Sequence, residues 1–425
     1  ALLQEQQKAV EIKQSIGAQE MSRKGISNVE TGLTKVTGIT KVESRGLFIR
    51  GLEDRYNNLL INNLAVPSNS PFKKIIPLDL FPTDIVGYMD VFKTFNPNLY
   101  GDFAGATIDI NTTQPTESYT KISYGVGYVT NNNMRDFLIS SDADNTKSFF
   151  GFGGQEREIP SGFGTTPNGQ INNDFESTWN IKKIGAPLNT SFGVTHANKF
   201  DLGKKPYKMY YFISANFDNK YQFREGIERT FQSGNGIYDN NFKKSQYKFG
   251  TQASALFSLN FKSDRLKITT NSLVIKATEN QIQDQLGYTR NNVQNPNEII
   301  RLNQYDESNY FTNQIQSEYK LSKNGKHILK GGLSYTRTKF NQPDRKFING
   351  TKVNEDDIEV RFGSNNLIRQ FLDVENNFHM SGLLEYNYKF GKNEDKQNKI
   401  TLGYNGYAEY MKTSYRFIAG LPNNA

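Results

Sequence analysis

The stretch NLYGDFAGATIDINTTQP, residues 98–115, sets two glycines ahead of an alternating apolar run and closes the run with Gln114-Pro115. Ile108 and Ile110 alternate with Asp109, the period of a strand whose successive side chains point to opposite faces. Pro115 has no backbone N–H to give to a ladder, so the pairing stops there. Gly101 and Gly105 allow tight backbone turns in front of the strand. Read together, Gly101, Gly105 and Pro115 form a hinge and exit between two kinds of sequence.

Upstream, residues 1–115 have the texture of a small mixed α/β domain. ALLQEQQKAVEIKQSIGAQEMSRKG spaces Leu3, Val10 and Ile16 among good helix formers, which predicts a helix. SNVETGLTKVTGI predicts a second, with Ser27 or Asn28 as N-cap and Val29, Leu33 and Val36 at helical spacing before Gly38. GLFIRG, RYNNLLINN and ATIDINT read as strands, and a third helix is expected from Thr83-Asp84, where either side chain can cap.

Downstream, residues 116–425 read as about nine strands of about ten residues each with period-2 alternation. In YKMYYFISANF the apolar face is Tyr207, Met209, Tyr211, Ile213, Ala215 and Phe217. FGTQASALFSLNF sets Ala253, Ala255, Phe257 and Leu259 against Gln252, Ser254, Ser258 and Asn260. FTNQIQSEYKL, FHMSGLLEYNYKF and ITLGYNGYAEY repeat the scheme. Short turns such as FKSDRLK and LSKNGKH alternate with long polar segments at 131–187, 223–244, 279–307 and 341–376, which read as loops. That sorting, with Tyr and Phe gathered near strand ends, is the pattern of an outer-membrane barrel. In a β-sandwich the core is more aliphatic and the connections are not sorted by length.

Composition leaves this reading open. No run approaches the roughly 20 apolar residues of a membrane helix. A mean hydropathy of −0.66 is nevertheless compatible with barrel strands, which average out as polar. The formal charge of +8 comes from lysines and arginines scattered among acids, which describes solvated surface and lumen rather than a nucleic-acid face. The chain has no cysteine, hence no thiol chemistry or disulfide frame. The three histidines, His196, His327 and His379, lack metal-ligand spacing, and no nucleophile–base–orienter set stands out, so neither enzymatic activity, a metal nor a cofactor is expected.

FIRG (48–51), PLDLFPTDIVGYMDVFKTFNP (77–97) and LYGDFAGATIDINT (99–112) resemble, in order and spacing, the plug signatures of TonB-dependent outer-membrane receptors. Their wording is similar to receptors of the Bacteroidota, without the detail of the SusC-type branch. Ala106 stands where a second glycine is common, and Lys93 where many members have arginine. The resemblance implies a mainly β fold: a transmembrane antiparallel β-barrel of about 22 strands when complete, its lumen filled by a plug formed by residues 1–115. It implies active uptake of a scarce solute, such as a siderophore, cofactor, peptide or glycan, across the outer membrane of a Gram-negative bacterium. TonB and its inner-membrane proton-motive complex would be the partners, outer-membrane lipid and lipopolysaccharide the surroundings, and a surface lipoprotein a further companion. The TonB box is expected before Ala1 and more strands after Ala425. A non-transporting outer-membrane scaffold, or a component of a surface complex, is the alternative on the same fold, whereas a passive porin conflicts with a plug.

The resemblance also assigns roles. Arg50 of FIRG, and Lys93 in the second such position, are expected to latch the plug to carboxylates of the inner wall, for which Glu318, Glu385 and Glu409 qualify by strand parity. Two plug apices, 52–56 and 65–74, are expected to meet the solute through Arg55, Tyr56, Ser68, Asn69, Phe72 and Lys73.

Overall fold

The structure, a computed structural model, describes residues 13–42, 46–69, 73–115, 117–161, 163, 175–203, 207–231, 238–355, 357–360, 363, 366–391 and 398–420. Its N-terminal part is a five-stranded mixed sheet. The strands are β1 (Lys13–Gly17), β4 (Asn58–Ile61), β5 (Leu64–Ala65), β6 (Val86–Phe92) and β7 (Thr107–Thr112), in the order β1-β6-β7-β4-β5. Only β4 and β7 run parallel. A hairpin of β2 (Ile39–Val42) and β3 (Gly46–Ile49) and the short helices α1 (Ala18–Arg23) and α2 (Val29–Leu33) accompany the sheet. Met21, Val29, Leu33, Ile49, Ile61, Met89 and Ile108 form one buried apolar core, and this burial holds elements too short to be stable alone.

Asn28 caps α2 as its position suggests, its Oδ1 accepting the Thr31 N–H at 2.9 Å. Leu3 and Val10 lie outside the described residues, and Ile16 belongs to β1 rather than to a helix. The helix expected at Thr83 is a single 3-10 turn, Thr83–Ile85. Thr83 Oγ1 donates to the Ile26 carbonyl at 3.0 Å, and the following VGYMDVF pairs with β7, where its β-branched and aromatic side chains pack.

Nine antiparallel strands make the wall. They are β8 (Tyr119–Gly127), β11 (Asn189–Asp201), β12 (Lys208–Phe231), β13 (Tyr238–Lys262), β14 (Leu266–Thr289), β15 (Glu298–Lys320), β16 (His327–Lys352), β18 (Leu367–Phe390) and β19 (Asn398–Gly420). A two-residue strand, β17 (Ile358–Glu359), adds to β16. Seven of the nine have 23 to 26 residues, against the ten expected. Most of 223–244, 279–307 and 341–376 is therefore strand, not loop. Their Asn, Gly and Asp content is turn-like, yet cross-strand hydrogen bonds carry the hairpins on past the apolar band.

The alternation sorts the faces as expected. Phe212, Leu256, Ile275 and Tyr310 point inward onto the N-terminal core. Ile213, Phe257, Val274, Ile315, Leu333 and Leu384 are exposed on the outer face. Among the described residues, those of 131–187 depart from the wall and fold into a lobe, with β9 (Asp136–Ser140) paired to β10 (Ile181–Gly185) and a one-turn helix, α3 (Thr146–Phe149).

Candidate functional site

The inner face of the wall grips the N-terminal sheet through polar contacts. Gln314 Nε2 donates to the Ile61 carbonyl at 3.0 Å, and its Oε1 accepts from Asn62 Nδ2 at 2.7 Å. Gln316 Nε2 donates to the Asn62 carbonyl at 2.5 Å, and Gln252 Nε2 to the Leu80 carbonyl at 2.6 Å. The Ala65 N–H donates to Ser381 Oγ at 3.0 Å, while His379 Nε2 lies 3.1 Å from the Ala65 carbonyl. Phe81 meets Tyr310 edge-on at 5.8 Å, an apolar contact among these bonds. At the exit, Lys267 Nζ donates to Gln114 Oε1 at 3.0 Å.

Two polar cavities flank this boundary. One, of about 960 Å³, opens toward the short-turn end between β6–β7 and the wall, lined by Asn62, Gln114, Lys267, Glu318, Lys330 and Glu385. The other, of about 780 Å³, opens toward the long-hairpin end, where Asp54, Lys73 and Asp79 face Lys220, Arg224, Lys248, Glu279 and Asp306 of the wall. Both charge signs and many amides line it, a composition suited to a solute rich in hydrogen-bonding groups.

Residues 5–108 match the family model described as TonB-dependent Receptor Plug Domain. The N-terminal sheet is a TonB-dependent receptor plug. No curated protein matches the chain. Among solved structures, the chain is similar to the ferric-catecholate import receptor Fiu of E. coli K12, at 11% identity and a TM-score of 0.43, over 96% of this chain and 66% of that one. It is similar to the ferric yersiniabactin uptake receptor FyuA of Yersinia pestis, at 10% identity and a TM-score of 0.40, over 95% and 61%. For the ferric citrate transporter FecA the values are 9%, 0.39, 99% and 62%. The chain thus spans less than two thirds of the length of these receptors, and likenesses at such TM-scores carry no functional weight.

The plug does not form the expected latch. Arg50 is exposed in a left-handed conformation, φ 53°, its N–H donating to the Gly38 carbonyl at 2.9 Å. Lys93 Nζ donates to Gln14 Oε1 at 2.5 Å and to the Thr37 carbonyl. Partial burial, and then the charge of nearby Arg50, lower the Lys93 pKa, so the two cations meet each other at the Thr37-Gly38 turn and not a wall carboxylate. The glutamates are engaged elsewhere. Register places Lys267, Glu318, Lys330 and Glu385 side by side on β14, β15, β16 and β18, with Lys330 Nζ 3.9 Å from Glu385. Glu409 Oε2 lies 3.4 Å from His379 Nδ1 and accepts from Asn376 at 3.2 Å.

Of the expected solute contacts, Lys73 lines the outer cavity. Ser68 Oγ donates to the Lys73 carbonyl at 2.6 Å, and Asn69 is buried with its amide 3.5 Å from Ser308 Oγ, so both shape the apex against the wall. Arg55 and Tyr56 are exposed and stack on each other at 5.6 Å, outside the cavity lining. Phe72 lies outside the described residues. Sequence reading missed the wall cations Lys220, Arg224 and Lys248, because they occupy segments that read as loops or pass as ordinary strand polarity.

The hinge glycines also differ from expectation. Neither Gly101 nor Gly105 takes a positive φ. Gly105 is required for space, since a Cβ there would stand 2.1 Å from Asn57 Oδ1, which accepts the Ala106 N–H at 3.0 Å and fixes the start of β7. Pro115 does lie between β7 and β8, in the connection from plug to wall.

Proposed function

We propose that this chain is the plug, residues 1–115, and the first part of the barrel wall, residues 116–425, of an outer-membrane receptor that takes up a polar solute actively. TonB, driven from the inner membrane, displaces the plug. The observation that carries this reading is the boundary itself: side-chain hydrogen bonds to plug backbone groups, beside one apolar patch at Phe212, Leu256, Ile275 and Tyr310, join plug to wall, with a polar cavity on either side. Each such bond is worth about 1 kcal/mol net and can be exchanged for one to water, so the force that displaces the plug works mainly against the apolar patch. The outer cavity receives the solute, and the short-turn cavity is where it leaves.

This chain has no cysteine, so Asn62→Cys, made in a cysteine-free form of the complete receptor, gives a single thiol at the boundary. In cells carrying the complete receptor, a periplasmic maleimide is expected to label it faster when TonB is present and energised than in cells without TonB. Equal labelling in both strains would remove plug displacement and favour a static scaffold.

A further inference from the structure

The described residues of the 131–187 lobe meet the wall away from the side that faces the plug. They lie on the outer face. In β12 to β15 the inward parity is set by the plug contacts of Phe212, Gln252, Ile275 and Gln314, and the lobe meets the opposite parity. Phe149 and Phe150 pack on Phe217 at 5.9 and 5.4 Å, and Phe137 packs on Tyr221 at 5.4 Å. Arg157 sits over the Tyr305 ring at 4.7 Å. Buried charges fix the lobe there: Arg157 pairs with Asp142, Lys346 Nζ lies 3.6 Å from Asp142, and Arg369 reaches Asp344 at 2.6 Å and Ser177 Oγ at 3.0 Å.

Register locates the lower edge of the lobe. One cross-strand row runs Ile122, Val194, Ala215, Ala255, Val274, Phe311 and is apolar throughout. The next row up runs Tyr124, Phe192, Phe217, Ala253 and then turns polar at Lys276 and Asn309. Phe150 rests on Phe217 in that second row, and Lys276, paired with Glu307 at 2.5 Å, stands 5.4 Å from the Phe152 ring. The row above contains Thr251 and Thr278 and is covered by Gly151. Gly151, at φ 80° with Thr251 Oγ1 3.1 Å from a Cβ built there, lets the chain touch the wall between the two aromatics. Phe150 and Phe152 nevertheless remain 48% and 63% exposed, at the border where the apolar band ends. Exposed aromatics continuous with a lipid-facing band are the pattern of an interfacial girdle.

The geometry points to the lobe as an outer-leaflet foot: Phe150 and Phe152 sit in a lipid surface at the boundary of acyl chains and headgroups, extending the girdle of the wall sideways. This rests on the membrane reading proposed above. The exposed lysines of the lobe are matched by acids, Lys147 with Glu156, Lys182 with Asp144 and Lys183 with Asp136, so the foot needs no anionic headgroup.

The test uses single-cysteine variants of the complete receptor, spin-labelled in phosphatidylcholine vesicles, with collision rates measured against oxygen and against a water-soluble nickel complex. Val274→Cys is the lipid reference and Lys183→Cys the aqueous one. The oxygen-over-nickel ratio of Phe152→Cys and Phe150→Cys is expected to shift to the Val274→Cys side. If both labels match Lys183→Cys while Val274→Cys reads as lipid, the foot is wrong and the membrane reading stands. If Val274→Cys also reads as aqueous, the membrane reading fails and the foot falls with it.

Discussion

The interior of the plug and its boundary with the wall are built from different mixtures of materials. Inside, aliphatic side chains close on one another with little exposure, and the intruding carboxylates Asp90 and Asp109 accept hydrogen bonds, whereas the Thr107 hydroxyl has no partner. At the boundary, glutamine and serine side chains bond to backbone groups across the gap, beside an apolar patch in which Phe212, Leu256, Ile275 and Tyr310 of the wall meet the plug core. The difference separates two stabilities that one chain must hold apart. Apolar burial acts only when the whole core is assembled, whereas each boundary bond can be exchanged for one to water.

The comparison breaks most strongly if the core is hollowed. Leu33→Ala empties a fully buried site and is expected to cost the plug about 2–5 kcal/mol, read as faster hydrogen exchange in β6 and β7 with the wall amides unchanged. A smaller effect of opposite sign is expected at a polar intrusion. Asp90 and Asp109 face each other on β6 and β7; Lys13 Nζ pairs with Asp90 at 2.7 Å, and Asp109 accepts from Asn63 N–H and Asn111. Burial first, then the charge of Asp90, push the Asp109 carboxyl up to about 6. The native plug therefore holds a proton that the unfolded chain releases, and stability falls as pH rises from about 4 through about 6. Asp109→Asn is expected to flatten that slope and to stabilise the plug near pH 7 by about 3 kcal/mol in denaturant unfolding, the order set by the shifted pKa. The smallest effect belongs to the boundary. Gln314→Ala is expected to cost about 1–2 kcal/mol by leaving Asn62 short of a partner, and to speed thiol labelling at Asn62→Cys without changing exchange in the core.

These contrasts were unevenly legible in the sequence. The plug was readable because its signatures are contiguous, and the faces of the wall because alternation survives in segments such as FGTQASALFSLNF. Strand length was not, since stretches such as ENQIQDQLGYTR have loop composition and become strand only through partners in the neighbouring hairpins. Nor were the partners of Glu318 and Glu385. Parity puts both on the inner face, but only register shows that lysines flank them at the same height. The lobe was hidden for a related reason: Asp142, paired locally with Arg157, also meets Lys346 some two hundred residues away.

The length of the wall strands has a consequence for how such a protein can change. A strand of 25 residues extends about 80 Å at 3.4 Å per residue, and a tilt of about 40° leaves it some 60 Å tall, while the apolar band of a barrel is about 25 Å. On the membrane reading proposed above, more than half of each long hairpin stands clear of lipid, in water on both faces or beneath the lobe. Substitutions in that upper tier then escape the hydrophobic constraint that governs the lower one, so the mouth can change its side chains while the apolar band stays as it is.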